Sequence, residues 1–190
     1  MYAIRTPHRD AVIFATIGII DTMKIEKILI RKALNADAQS IFDIRIAAIN
    51  SQCKVYYANQ DLEIWTAGIL SAHFVKMVEE LGYVATVGGE VVGTGMIDLE
   101  SGQIDAIFVH PSLMGRGIGR KMMDYLENLA IETGLVRLRL DSTLNAAPFY
   151  RAVGFVGNAV AEYKSPSGLS LDCIPMEKAI SPANKSNRLQ

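Results

Sequence analysis

The sequence predicts a single α/β (α+β) domain with a mixed, mostly antiparallel central sheet of about six to seven strands flanked by about four helices. One observation is a run rich in aromatic and β-branched residues from Tyr83 to Val109, cut by turn signals at Gly88-Gly89 and Glu100-Ser101-Gly102. A second is the change to helical spacing on both sides of that run, at Ile41, Ile44 and Ala48 before it and at Ile118, Met122, Met123 and Leu126 after it. The third is size: half of the 190 residues are apolar and 21% are charged, enough for one core in one unit.

The domain is expected over residues 27–180. Ile28-Leu29-Ile30-Arg31 predicts a strand, with Asn35 or Asp37 as a helix cap and a first helix running to about Asn50. Ile41, Phe42, Ile46 and Ile49 widen the apolar face of that helix. A loop from Ser51 to Gln60 leads to two shorter helical pieces, Asp61 to Gly68 and Ala72 to Glu80. The strands Tyr83 to Val87, Val91 to Leu99 and Gln103 to Val109 then form a meander, stopped by His110-Pro111. A helix from Gly115 ends at Thr133-Gly134, and Arg137 to Leu140 forms a strand. Asn145 to Val153 makes a short helix closed by Gly154, and a last hairpin pairs Phe155 to Tyr163 with Leu169 to Glu177. The polar residues 181–190 read as a disordered tail.

Residues 1–26 read as an N-terminal extension. The apolar segment Ala11 to Ile20 is too short to span a bilayer and no small-residue cleavage site follows it, while Met23 offers an alternative start. These features predict a cytoplasmic protein with no membrane association. Nineteen Lys plus Arg against twenty Asp plus Glu remove the broad positive field of a general nucleic-acid binder. The cysteines Cys53 and Cys173 and the histidines His8, His73 and His110 lack metal-ligand spacing, so no metal is expected and the cysteines read as free thiols.

The strongest chemical signal is Gly115-Arg116-Gly117-Ile118-Gly119-Arg120, which opens a helix shortly after a strand. Glycines admit close approach of an anion to backbone N–H groups at the positive end of a helix, and Arg116, Arg120 and Lys121 add local charge. A phosphate or pyrophosphate site is the reading, against a plain helix cap. A Walker A loop fails because Arg120 stands where its second glycine belongs. A dinucleotide fingerprint fails because Arg120 again replaces a glycine and the preceding strands are antiparallel.

With Ile107-Phe108-Val109-His110-Pro111 before the turn, Asn145-Ala146-Ala147-Pro148-Phe149-Tyr150-Arg151-Ala152-Val153-Gly154-Phe155 after it, and Pro175-Met176-Glu177-Lys178 at the end, the chain resembles the GNAT family of N-acetyltransferases. The family's acyl-CoA signature, Gln/Arg-x-x-Gly-x-Gly/Ala, falls on Met114 to Gly119, with Met114 in place of the usual Gln or Arg. The resemblance implies that acetyl-CoA is the cosubstrate, held by Phe108, Val109, Met114, Gly115, Arg116, Gly117, Ile118, Gly119, Arg120 and Asn145. It implies further that the Val109 N–H stabilises the thioester oxygen and that Tyr150 protonates the departing thiolate. Where the family often carries a glutamate base this chain has Gln103, which cannot accept a proton. Asp105, two residues along the same strand, is the substitute, acting directly or through water, with a solvated strand carboxylate as the alternative. Asp98, Glu100 and Asp141 are lesser candidates.

The resemblance places acceptor choice in the first helices, the loop between them and the last hairpin. Tyr56, Tyr57 and Trp65 are candidate walls, with core packing ahead for Trp65. The expected reaction is direct acetyl transfer to a primary amine on a small molecule or peptide, in a homodimer or a monomer. Two alternatives stay open: a weak or inactive acyl-CoA sensor, suggested by Gln103, and a nucleic-acid-associated protein using Arg116, Arg120, Lys121, Arg137 and Arg139.

Overall fold

The computed structural model describes residues 27–164 and 168–181. Its strands are β1 (Leu29–Lys32), β2 (Gly82–Val87), β3 (Glu90–Asp98), β4 (Gln103–Val109), β5 (Arg137–Thr143), β6 (Ala161–Lys164) and β7 (Ser170–Ala179). Its α-helices are α1 (Ala38–Gln52), α2 (Asn59–Thr66), α3 (Ala72–Leu81), α4 (Ile118–Glu132) and α5 (Ala147–Ala152). The strands form one sheet ordered β1-β2-β3-β4-β5-β7-β6. The mixed, mostly antiparallel architecture is as expected, with seven strands and with five α-helices rather than four among the described residues. The expected extension over residues 1–26 and almost all of the expected tail lie outside the described residues. No helix among the described residues is long and apolar enough to cross a membrane.

Glycines at two β3 positions let a helix sit close to the sheet. A side chain at Gly95 would meet Met122 and Leu126 of α4 within 3.0 Å, and one at Gly93 would meet Ile118 at 3.0 Å. Tyr83, Ala85, Ile97, Ile104, Leu138 and Leu140 therefore pack with Met122, Met123, Leu126 and Tyr150 on the α4/α5 face. The opposite face buries Val84 and Met96 under Ala38, Ile41 and Val78 of α1 and α3. Lys178 of β7 donates to Glu127 of α4 at 2.5 Å, a part-buried pair tying the crossover helix back to the sheet.

The helix predicted from Gly115 begins three residues later. Gly115 and Gly117 sit at φ 77° and 81°, in the left-handed region, so the chain turns through them before α4 can start. The first helix reaches Gln52, and the segment predicted as a long strand from Phe155 contributes only a Val156–Glu177 bridge before β6. Near the entry to α1, Asp37 accepts two hydrogen bonds from Arg31 (2.6 and 2.8 Å) and one from the Leu34 N–H (2.7 Å). That arrangement lowers its carboxyl, the Arg31 hydrogen bond being the main cause.

Two irregularities in the sheet shape the region around the glycine turn. Met96 pairs with Ala106 but Ile97 pairs with Ile104, so Asp105 is the extra residue of a β-bulge. The parallel neighbours β4 and β5 pair only at Gln103↔Arg139, while on its other edge β5 pairs along its whole length with β7, from Arg137↔Ala179 to Thr143↔Cys173. Beyond Gln103, β4 and β5 diverge and leave a wedge in the sheet.

Candidate active site

The glycine turn lies at the wide end of that wedge. The amides of Ile118, Gly119 and Arg120 precede the first intrahelical bond, from Lys121 N–H to the Gly117 carbonyl (3.0 Å), and so have no helical partner. No atom lies within 4 Å of where a side chain would stand on Gly115 or Gly117, so these backbone positions are open to a ligand. The Arg120 guanidinium reaches back to the Ala152 carbonyl at 3.1 Å and ties α4 to the end of α5. Arg116 is exposed.

A cavity of about 400 Å³ runs from this turn into the wedge and touches both faces of the sheet. Phe108, Val109, Met114, Gly115, Gly117, Ile118, Gly119, Arg120, Asn145 and Tyr150 line it, so every sequence-selected cofactor residue but Arg116 borders one space. The His110 N–H donates to the Val92 carbonyl of β3 at 2.9 Å. Successive amides along a strand point to opposite edges, so the Val109 N–H points away from β3 and into the wedge.

Tyr150 is 7% exposed, packed edge-on against Phe149 (5.1 Å between centroids) and Phe155 (5.7 Å). Burial pushes its phenol well up from the ordinary tyrosine range. No hydrogen bond holds its hydroxyl among the described residues, which leaves the group available to the cavity it borders.

Residues that carry no signal in the sequence complete the walls. Ile49, Gln52 and Cys53 of the α1 end, Thr143 of β5 and Phe149 of α5 all line the cavity. Cys53 donates its thiol to Asn145 Oδ1 at 3.3 Å, and burial raises that thiol to about 11, which keeps it neutral. Ile49 and Cys53 stand one helical turn apart, a relation hidden when the helix is read as ending at Asn50. A lone cysteine gives no sign of such a place.

Asp105 lies outside this cavity. Its bulge sets it beside Asp98 and Asp141 on the face covered by α1, and loss of hydration, then those two carboxylates, raises its carboxyl. Asp98 itself accepts from Ser101 Oγ (2.6 Å) and Glu100 N–H (2.8 Å), which lower it and close the β3–β4 turn. Gln103 faces the same side next to Arg139, its partner across the closed end of the wedge.

Tyr57 bridges the α1–α2 connection to the sheet: its hydroxyl donates to the Asp172 carbonyl (2.8 Å) and accepts from the Leu144 N–H (2.9 Å). Burial, ahead of smaller causes, raises that phenol to about 12. Trp65 packs edge-on to Tyr57 at 5.8 Å over Ile49 and Leu62, a core position, while Tyr56 is exposed. The cations considered for nucleic acid are dispersed: Arg137 pairs with Glu177 (2.9 Å), Arg139 bonds the Ser101 carbonyl (3.2 Å), and the others sit at the α4 start. Among the described residues no three His, Cys, Asp or Glu side chains gather to hold a metal ion.

Residues 79–157, from the end of α3 past the glycine turn to just beyond α5, match the model of the acetyltransferase (GNAT) domain. An IAA acetyltransferase of Azospirillum brasilense is 33% identical over 95 residues, 46% of this chain and 62% of that protein. The chain thus spans less than two thirds of that relative's length. A GCN5-related N-acetyltransferase of Rhodopseudomonas palustris, also named aminotransferase, class-II, is 27% identical with a TM-score of 0.76, over 83% of this chain and 99% of that one. The PaiA N-acetyltransferase of Thermoplasma acidophilum, solved in complex with coenzyme A, shares the fold at 17% identity and a TM-score of 0.64, covering 80% and 99% of the two chains.

Proposed function

We propose that this chain, which belongs to the GNAT family of acetyltransferases, transfers the acetyl group of acetyl-CoA directly to a primary amine. The observation that carries the reading is the single cavity joining the free amides of the glycine turn to the inward Val109 N–H and the Tyr150 hydroxyl. The turn takes the pyrophosphate, and the wedge between β4 and β5 takes the pantetheine arm beside Asn145.

In this reading the amine nitrogen attacks the thioester carbonyl carbon. The N–C bond forms, the carbonyl oxygen gains charge against the Val109 N–H, and the C–S bond then breaks. Tyr150 donates to the departing sulfur, and burial favours the role because it keeps the phenol protonated across the working pH range. The amine proton leaves to Asp105, through water given its place outside the cavity. Its raised carboxyl makes it a stronger base than an ordinary aspartate. A lysine-like amine at pKa about 10.4 is almost wholly protonated at pH 7, so this deprotonation is a real part of the barrier. Residues 27–180 form the catalytic unit, acting in the cytoplasm.

The test is thiol release from acetyl-CoA with polyamines, amino acids, aminoglycosides and peptide N-termini. Amine-dependent release supports the transfer. Tight acetyl-CoA binding with no release on any amine would leave the sensor in its place, the reading that Gln103 favours.

A further inference from the structure

Arg45 stands on α1 one turn before Ile49 and two before Gln52, so it extends the cavity-lining stripe of that helix away from the glycine turn. On the strand beneath, Asp105 lies three residues before the cavity-lining Phe108. Seven helical residues and three strand residues each cover roughly 10 Å. Both C-terminal ends meet at the cavity, so Arg45 and Asp105 reach a similar depth beyond it. Tyr163 of β6 stands close enough to both to sense their opposite charges, together with Asp141.

A guanidinium carries five N–H donors. Arg45 spends one, Nη2 donating to the Trp65 carbonyl at 3.0 Å, and no carboxylate lies within ion-pair distance of it among the described residues. The other part-buried arginine, Arg31, holds Asp37 with two hydrogen bonds. No buried side-chain nitrogen or oxygen in the described residues lacks a partner, so the unused Arg45 donors face open space rather than packed protein. Half-burial strips water from the guanidinium without supplying the anion that normally compensates. Asp105 and Asp141 lie beside each other and supply negative charge within electrostatic reach of the same Tyr163.

We propose that the acceptor is a small zwitterionic amine, such as a free amino acid, whose carboxylate is held by Arg45 while Asp105 and Asp141 draw its ammonium group. This rests on the acetyl-transfer reading above. The ammonium gives up a proton to Asp105 through water, its nitrogen bonds to the acetyl carbon, the sulfur leaves with a proton from Tyr150, and an N-acetyl carboxylate results. A polyamine is disfavoured because a second cation would face Arg45.

The test uses the full chain and thiol release with matched acceptors: amino acids, their carboxamides and the amines left by removing the carboxylate. The expected result is that each preferred acid exceeds its carboxamide in kcat/KM by about tenfold or more. In Arg45→Gln that ratio falls to within about twofold, with the loss in KM for the acid, and Arg45→Lys restores part of it. Carboxamides or polyamines equal to or better than the acids would overturn the inference and leave acetyl transfer standing. Release with none of the three classes, nor with the wider amine panel, would overturn both. The wild-type ratio decides the question even if a variant folds poorly.

Discussion

Replacing Tyr150 with phenylalanine removes one oxygen from the wall of the cavity and little else. The ring keeps its contacts with Phe149 and Phe155, and no hydrogen bond is broken among the described residues. The folded protein should therefore hold its stability to within about 0.5–1 kcal/mol, because the hydroxyl removed opens on the cavity and leaves no protein partner unpaired. Chemistry is a different matter. The thiolate would depart without a proton into walls built from Ile49, Ile107, Phe149 and other apolar groups. General acid catalysis contributes about 10²–10⁴ in rate; because a thiolate is already a weak base, the lower figure applies, near 2.7 kcal/mol of barrier.

The assay is steady-state thiol release, with acetyl-CoA affinity and thermal unfolding measured on the same preparation. Cys53 and Cys173 are both buried, so the protein's own thiols add little background. The expected outcome is kcat down about a hundredfold, acetyl-CoA affinity within about threefold and an unchanged melting temperature. A kcat within about threefold of wild type would refute the assignment. Weaker acetyl-CoA binding at unchanged kcat would make Tyr150 a wall of the cavity and nothing more.

Asp105→Asn should lower kcat at least about tenfold and remove the acidic limb of the pH–rate profile, since a base with a raised carboxyl loses activity as pH falls through that raised value. Its raised folded-state value means the native protein holds the proton more tightly than the unfolded chain. Stability therefore falls as pH rises through that value, and Asp105→Asn should be no less stable at pH 7, as denaturant titration will show. Gly117→Ala places a side chain at φ 81° with no clash, so strain alone should cost about 1–2 kcal/mol and weaken acetyl-CoA binding. Gly119→Ala, which meets Phe149 at an ordinary 3.5 Å, should keep its stability; calorimetry on the pair separates strain from crowding. Asp37→Asn should destabilise by about 1 kcal/mol at neutral pH, discounted because Arg31 is part-exposed, with the difference vanishing in acid. The sign follows from the depressed Asp37 carboxyl: its contribution is full above the unfolded value near 3.9 and is lost as pH falls through the folded one.

The meander, the crossover helix and the glycine turn are legible in the sequence because each is written locally, in alternation, helical spacing or glycine placement. The bulge at Asp105 is not. A sequence that reads Gln103 to Val109 as one alternating strand gives no sign that Ile104 and Ala106 lie opposite consecutive β3 residues, Ile97 and Met96. Alternation points to Asp105 for the face it shares with Gln103, yet the bulge, rather than simple alternation, sets its neighbours. Arg45 is hidden for a related reason. On α1 it reads as an ordinary charged position between Ile44 and Ile46, and its lack of a carboxylate partner among the described residues depends on long-range packing that no local pattern records.

The wedge is the least local feature of all, and the site depends on it. In a fully paired parallel ladder, β5 would have satisfied the outward amides of β4 and closed the space that the cavity occupies. Instead, β4 and β5 are in register at Gln103↔Arg139 alone, while the other edge of β5 is paired along its length with β7. Tyr57 then fixes the wide end, linking the α1–α2 connection to Leu144 just past β5 and to Asp172 in β7. In the proposed reaction the Val109 N–H, already turned into the wedge, needs no reorganisation to meet the carbonyl oxygen. That makes Val109 hard to probe by side-chain replacement and shifts the experimental weight onto Tyr150 and Asp105, whose groups can be removed one atom at a time.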